Sequence, residues 1–458
     1  MGLTLVVGPA HAGKVRLLLD RFVEEMDRDP WLVVPNRADV ERVERELVER
    51  CGGLLAGTVA TFDGLFEQLA EVDRGGRRVL GETERAIVLR RVAERHPAGQ
   101  VRYAGYADAL GRTLAELDGA LLEPEDVGEP LADLFGAYRR ELELLDAWDR
   151  GALRRRAIER LTRELDAWRG APVFAHGFED LTGAEWRLLE ALSARSDVHV
   201  SLPYEPGRAV YASLSRTVDD LARLADGNVV ELPPRSHDFL PPALAHIERE
   251  LFAEPPSRSP LDSSVRFLEG AGGRGTLELV ADEVLGLVRS GVAAEEIAIV
   301  CPSVEGVRLA LEAAFGSVGV PVAFENRVAL RTTPFGHALL ALLRFAWLGG
   351  ERPQLYAHLR SPYSGVGRRD VDWIEGRLRG RGVLRGDRAT AVTIELRDGR
   401  PLPTLDLALS EAPALDTVRQ LADAMLKHAH GTTSPPLDDR SRLDLQAHDA
   451  VTRTLDEL

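Results

Sequence analysis

Short runs of consecutive apolar residues alternate along this chain with longer segments in which apolar residues recur every three or four positions. The first kind reads as buried strand, the second as amphipathic helix. "TLVVG", starting at Thr4, "WLVV" at Trp31–Val34 and "GTVAT" ending at Thr61 are of the first kind. "KVRLLLDRF", "RADVERVERELVERC" and "GLFEQLAE", which follow them in turn, are of the second. Strand alternating with helix predicts a parallel sheet with helices on its faces. From Glu82 to about Arg169 the pattern becomes almost wholly helical, as in "ETERAIVLRRVAERH", "YADALGRTLAELDGALL" and "LADLFGAYRRELELLDAW". Strand character returns with "APVFAHGF" and "DVHVSLPY", on either side of the helix "GAEWRLLEALSAR". The expectation is one α/β domain over residues 1–80 and 170–250, interrupted by a helical insertion at 81–169. Strands near Leu3–Val7 and Val173–Ala175 are expected as neighbours in its sheet.

The Pro/Ser-rich stretch "FAEPPSRSPLDSS" reads as a linker, placed at residues 251–264. After it the rhythm restarts. "VRFLEGAG", "EEIAIVCPS" and "VPVAFE" read as strands, with helices "GTLELVADEVLGLVRSG" and "GVRLALEAAFGSVG" between them. A second α/β domain is expected at 265–350, followed by a second helical insertion at 351–458. The end, "VTRTLDEL", is helix-like with no closing element, as in a chain that continues.

The first strand runs into "GPAHAGKV", which matches the phosphate-binding pattern G-x-x-x-x-G-K in seven of eight places. The eighth place needs a hydroxyl for magnesium and holds Val15. Of 57 lysine and arginine residues only two, Lys14 and Lys427, are lysine. One of the two stands where a slim ammonium must reach between the phosphates. A degenerate nucleotide site at Gly8, Gly13, Lys14 and Val15 is therefore expected. Binding of ATP by Lys14 and backbone amides, without a well-held metal, stays open.

Composition narrows the classes. The chain has 458 residues, 45% hydrophobic and 28% charged, as in globular proteins with real cores. Two cysteines, Cys51 and Cys301, build neither a disulfide framework nor a four-cysteine metal site, which suits a reducing cytoplasm. No apolar run reaches the ~20 residues of a membrane span, and "MGLTLVV" lacks the basic start of a signal peptide. A net charge of −16 means that any nucleic-acid contact must be local and basic.

The order of these segments resembles the superfamily 1 helicase layout of two RecA-like P-loop domains with parallel sheets, each carrying a helical insertion. More narrowly, it resembles the AddB subunit of AddAB helicase–nucleases, which is related to RecC. "GPAHAGKV" matches the family's Walker A position, and "VPNRADVERVERELV" and "TVATFDGLFEQL" its next two segments. "VFAHGFEDLTGAEWRLLEAL" matches the Walker B segment, and the stretch from "GVAAEEIAIVCPS" through "TTPFGHALLALLRF" to "LRSPYSG" the start of the second motor domain. The resemblance implies an AddA-like, UvrD-family helicase–nuclease partner and action on single-stranded DNA or duplex ends.

The departures concern catalysis. Walker B needs an aspartate for magnesium and a glutamate to orient water; His176 and Gly177 stand there. Glu179 and Asp180 come too late to substitute. Pro302 stands where active relatives place an arginine for the γ-phosphate. Phosphoryl transfer is positioning and charge neutralisation, so these losses together argue for an inactive ATPase site and no catalytic residue. His176 is expected as a satisfied strand-end histidine, and "HAHG" as a polar turn rather than a metal site. Neither lysine follows a carboxylate by two residues, so the family's PD-(D/E)XK nuclease is absent from this chain, and so is its four-cysteine iron–sulfur staple.

DNA handling remains. The segments matching the family place candidate contacts at Asn36, Arg37, Thr61 and Phe62, and at Arg360 and Ser361. Thr61 reads equally well as a helix cap, and Phe62 better as core. "RLRGRGVLRGDR" is the densest basic stretch and fits a loop along a DNA channel through Arg377, Arg379 and Arg381. "RGALRRRAIER" is a second one. The function expected is a DNA-end-handling, helicase-like subunit for repair and recombination. The alternatives are an active ATP-dependent helicase subunit, or a P-loop-derived protein-interaction module without DNA.

Overall fold

The computed structural model describes residues 2–53, 56–71, 77–96, 103, 105–324, 328–384, 386–438 and 441–458. It divides into two compact units, Met1–Arg266 and Phe267–Leu458.

The first unit is built on a six-stranded parallel sheet in the order β3-β2-β6-β7-β1-β8. Its strands are β1 (Gly2–Gly8), β2 (Trp31–Val33), β3 (Thr58–Ala60), β6 (Val173–Ala175), β7 (Asp197–Pro203) and β8 (Val229–Glu231); β4 (Arg78–Val79) and β5 (Ala147–Trp148) form a separate two-stranded ladder. Alternation along β1 sends Leu3, Leu5 and Val7 into one core and Val6 into another. Two helices, α1 (Lys14–Glu24) and α2 (Arg37–Cys51), cover the Val6 face through Leu18, Leu19, Phe22, Val43 and Leu47.

After α3 (Phe62–Ala70) the chain leaves the sheet through α4 (Glu82–Arg95), α5 (Tyr106–Gly119), α6 (Leu131–Leu144) and α7 (Arg150–Arg163), then returns to it through β6, α8 (Gly183–Ser193) and β7. The opposite face is packed by α3, α7, α8 and α9 (Ser215–Leu224). Helices on both faces make the sheet doubly wound, so apolar side chains are buried on both of its sides. Helices α4, α5 and α6 have their own core around Phe135 and Tyr138. Helix α10 (Pro242–Glu250) ends this unit's regular structure.

Leu3–Val7 and Val173–Ala175 share the parallel sheet but are not neighbours: β7 lies between them, pairing with β1 from Gly2↔Asp197 to Gly8↔Pro203 and with β6 from Val173 to Ala175. Seven residues of β7 give it ladder length for both partners.

The second unit carries α11 (Gly272–Arg289), α12 (Val304–Val318), α13 (Pro334–Trp347), α14 (Arg352–Leu359), α15 (Arg368–Gly380), α16 (Gly386–Leu396), α17 (Pro403–Ala408), α18 (Ala414–His430) and α19 (Arg442–Asp456). Helices α13 to α19 share one core. The expectation of a second parallel sheet is corrected here: among the described residues of this unit no strand is formed. "VRFLEGAG", "EEIAIVCPS" and residues 320–324 of "VPVAFE" lie outside strand ladders, and Glu325 lies outside the described residues. Ile297, Ile299, Cys301, Val320 and Val322 still pack against α11 and α12. Val300, between two of them, is 93% exposed. Helices supply apolar contact but no free backbone groups, and a strand needs a neighbouring backbone to pair with.

Candidate functional site

The glycine loop joins the carboxyl end of β1 to the amino end of α1. Gly13 has φ +91° and His11 φ 60°, so the loop turns through two left-handed residues. Its lysine does not reach outward. Lys14 is 8% exposed, and its Nζ donates to the carbonyls of Gly8 at 2.7 Å and Pro9 at 2.5 Å. Burial lowers its pKa to about 8. Two loop amides are also engaged: Ala10 N–H donates to the Tyr211 hydroxyl at 3.2 Å and Ala12 N–H to the Pro9 carbonyl at 3.3 Å. Phe239 packs edge-on against the His11 ring, centroids 5.4 Å apart. A cavity of about 340 Å³ adjoins the loop, with Lys14, Arg16, Glu46, Arg50 and Phe239 in its lining. Arg50 is paired there with Glu46 at 2.6 Å and Asp20 at 2.9 Å, and Val15 is partly exposed beside it.

His176 follows β6 at the same sheet edge, and its Nδ1 lies 2.6 Å from Ser201 Oγ on β7. Burial, with the Lys14 and Arg42 charges adding to it, lowers its pKa to about 4. The ring is thus neutral at pH 7. Gly177 has φ +87° and stands against Pro35. Glu179 and Asp180 are exposed, and Asp180 caps the next backbone amide, Leu181, at 2.8 Å. Pro302, in the second unit, is exposed just ahead of Ser303, which caps α12.

The expected DNA contacts separate into engaged and available side chains. Asn36 caps α2, accepting from Asp39 N–H at 2.9 Å, and Arg37 is exposed 3.5 Å from Glu41. Thr61 caps α3, accepting from Gly64 N–H at 3.3 Å. Phe62 is core, its ring tilted against that of Phe178 with centroids 4.7 Å apart. Arg360 pairs with Glu375, and the Ser361 hydroxyl donates to the His358 carbonyl at 2.6 Å.

The basic stretch expected as a loop is the end of helix α15 and the turn after it, because Val371, Ile374 and Leu378 recur at helical spacing and bury together. Arg379 donates twice to Glu375, the shorter bond at 2.9 Å, and Arg381 lies 3.7 Å from Glu395. Arg377 lies over the Trp373 ring at 5.2 Å. Arg385, in the same stretch, lies outside the described residues. The other basic run is α7, where Arg150, Arg154 and Arg160 pair with Asp63 or Glu71. "HAHG" is corrected from a turn to the last turn of α18 and its glycine cap, with His430 held by Asp444 at 2.9 Å.

No known family profile matches the chain. It is 25% identical to the B subunit of the ATP-dependent helicase/deoxyribonuclease of Pelotomaculum thermopropionicum, across 91% of this chain and 39% of that protein. The proteins of the same name from Desulforudis audaxviator and Symbiobacterium thermophilum are each 26% identical, across 84% and 81% of this chain. The chain is AddB-like. It spans 36–39% of the length of these three relatives. Among the described residues, no helix is long and apolar enough to cross a membrane.

Three residues of the site in this AddB-like chain carry weak signals in sequence. Ser201 shows only as one of several polar residues that alternate with apolar ones along β7, and Tyr211, in a short 3-10 helix, and Phe239, in a turn, lie far along the chain from the loop.

The buried histidines make the first unit acid-sensitive. His199 packs against Phe174 and lies 3.1 Å from Arg21, and burial first, then that cation, lowers its pKa to about 4. For His176 and His199 the unfolded chain, titrating near 6.5, binds the proton more tightly. Their stabilising contribution is therefore full above pH 6.5 and lost as pH falls toward 4. A ceiling of about 3 kcal/mol each follows from 1.36 kcal/mol per unit. Thermal melts between pH 7 and 4 should show a falling Tm, with a shallower fall in His199→Gln. An identical fall in the variant would refute the assignment for His199.

Proposed function

We propose that this chain is the helicase-like, DNA-gripping portion of an AddB-type helicase–nuclease component, acting on single strands or duplex ends in double-strand-break repair and recombination. An AddA-like, UvrD-family subunit would supply the motor. In this reading the glycine loop is retained as scaffold and the ATPase is inactive. The observation that carries the second part is Lys14, buried with its Nζ donating to the carbonyls of Gly8 and Pro9. The His176–Ser201 pair supports it, since a neutral imidazole stands where magnesium needs a carboxylate.

Fluorescence anisotropy with a short labelled oligonucleotide tests the DNA part. The whole chain should bind weakly and lose affinity steeply with salt, because arginine–phosphate contacts release counterions. Arg377→Ala should flatten the logarithmic slope by roughly one unit, the value for one phosphate contact. Arg379→Ala should change it less, since Glu375 already neutralises that guanidinium. Absence of binding at low salt, by the chain alone and with its helicase partner, would favour the interaction module, for which the charge of −16 argues.

A further inference from the structure

We infer that the solvent face of α15, built on Trp373, is a nucleobase-stacking platform for single-stranded nucleic acid. The inference rests on the DNA-binding reading above and names a site for it.

Helix α15 does not need Trp373 for its core. Val371, Ile374 and Leu378 form its buried stripe. Trp373 lies off that stripe and is 52% exposed. Its ring is held from one side by the Arg377 guanidinium, 5.2 Å from the centroid. A cation over an aromatic face is attracted by the ring's quadrupole, which fixes the side chain while leaving the other face for a ligand.

The positions three and four residues from the ring are basic or bare except for Asp370, which is exposed three residues before it. Arg369 and Arg377 stand four residues before and after Trp373, on the same side of the helix, and both are exposed. Gly376 and Gly380 occupy the adjoining positions, and a Cβ at either would meet nothing within 4 Å. Glycine inside a helix is destabilising relative to alanine, so a glycine that packs against nothing asks for another reason. A smooth strip beside an exposed ring lets a sugar–phosphate backbone come close to the helix. Of the neighbouring carboxylates, Asp370 is offset by the Arg397 charge that it acts on, and the other two are paired. Asp372 faces Arg368 at 4.0 Å, and the carboxylate of Glu375 is buried between Arg360 and Arg379. The occupant with matching chemistry is a flexible polyanion with exposed π-faces, which is a single strand.

Stacking and phosphate pairing respond differently to salt. Stacking releases no counterion, whereas each arginine–phosphate contact does. The test is anisotropy with labelled oligo(dT) across a salt series, on the whole chain and on W373A, W373F and G376L. W373A should bind about 5- to 100-fold more weakly at every salt concentration, with an unchanged slope. W373F should recover much of the affinity. G376L favours the helix, so it should melt no lower than the parent, yet it should bind more weakly because it fills the strip. Tryptophan fluorescence should be quenched by oligo(dT) in the parent and less in W373F. Parent-like affinity in both W373A and G376L would overturn the platform while leaving the DNA reading intact. No binding by the parent at low salt would defeat the DNA reading itself.

Discussion

Purified chain supplied with ATP, magnesium and single-stranded DNA should turn over no faster than buffer. An active motor of this layout would run near ~10 per second, a typical enzyme rate. The expected deficit is at least about 10³-fold, because four separate contributions are gone. Val15 offers no hydroxyl to magnesium, His176 and Gly177 offer no carboxylates, and Pro302 offers no cation to the γ-phosphate. These groups act as a unit, so their losses do not simply multiply. Lys14 is withdrawn as well: a ligand phosphate would have to displace it from two backbone carbonyls. Lys14→Ala should therefore leave the null rate unchanged. A steady-state phosphate-release assay decides it. DNA-stimulated turnover abolished by Lys14→Ala would reverse the reading of the loop as scaffold.

The second large effect concerns stability. Asp118, at the end of α5, is 4% exposed and accepts from Arg155 at 2.5 Å and Arg139 at 3.4 Å. Arg139 and Arg155 also reach the Leu122 carbonyl and pair with Glu123. One carboxylate thus ties α5 to α6 and α7. Burial, and next the neighbouring Asp149, push the Asp118 pKa above the usual carboxylate range; the two arginines pull it back only in part. Its charge is therefore costly, while its oxygen is needed as an acceptor. Removing one partner of a buried ion pair costs ~3–5 kcal/mol, and the remaining Glu123 contacts lower this to about 2–4 kcal/mol for Asp118→Ala. Asp118→Asn keeps an acceptor without the charge and should cost much less. Thermal melts followed by circular dichroism should show Asp118→Ala roughly 5–10 °C below the parent. Equal losses in the two variants would mean that charge rather than hydrogen bonding holds the junction.

The local rules of the chain were legible without coordinates. Apolar spacing set the helices, and strand, glycine loop and helix at residues 2–24 follow from neighbouring residues alone. The side-chain chemistry at Val15, His176, Gly177 and Pro302 is equally local, because residue identity alone decides that none of them offers a hydroxyl, a carboxylate or a guanidinium. Thr61 as a cap and Phe62 as core follow from the same short-range logic.

What depended on distant residues was decided only in three dimensions. Strand order is a matter of non-local pairing, and β7 came between β1 and β6, which brings Ser201 to His176. The direction of Lys14 is set by loop carbonyls, and the loop's amide and histidine contacts come from Tyr211 and Phe239, about 200 residues away in sequence. The apolar segments of 265–324 have strand-like composition, but composition does not supply a backbone to pair with. Equal arginines in one basic run became unequal for the same reason. Glu375 engages Arg360 and Arg379, while the turn of α15 leaves Arg377 on Trp373 facing solvent. Sequence places a charge in a segment; only its folded neighbours determine whether that charge is already neutralised.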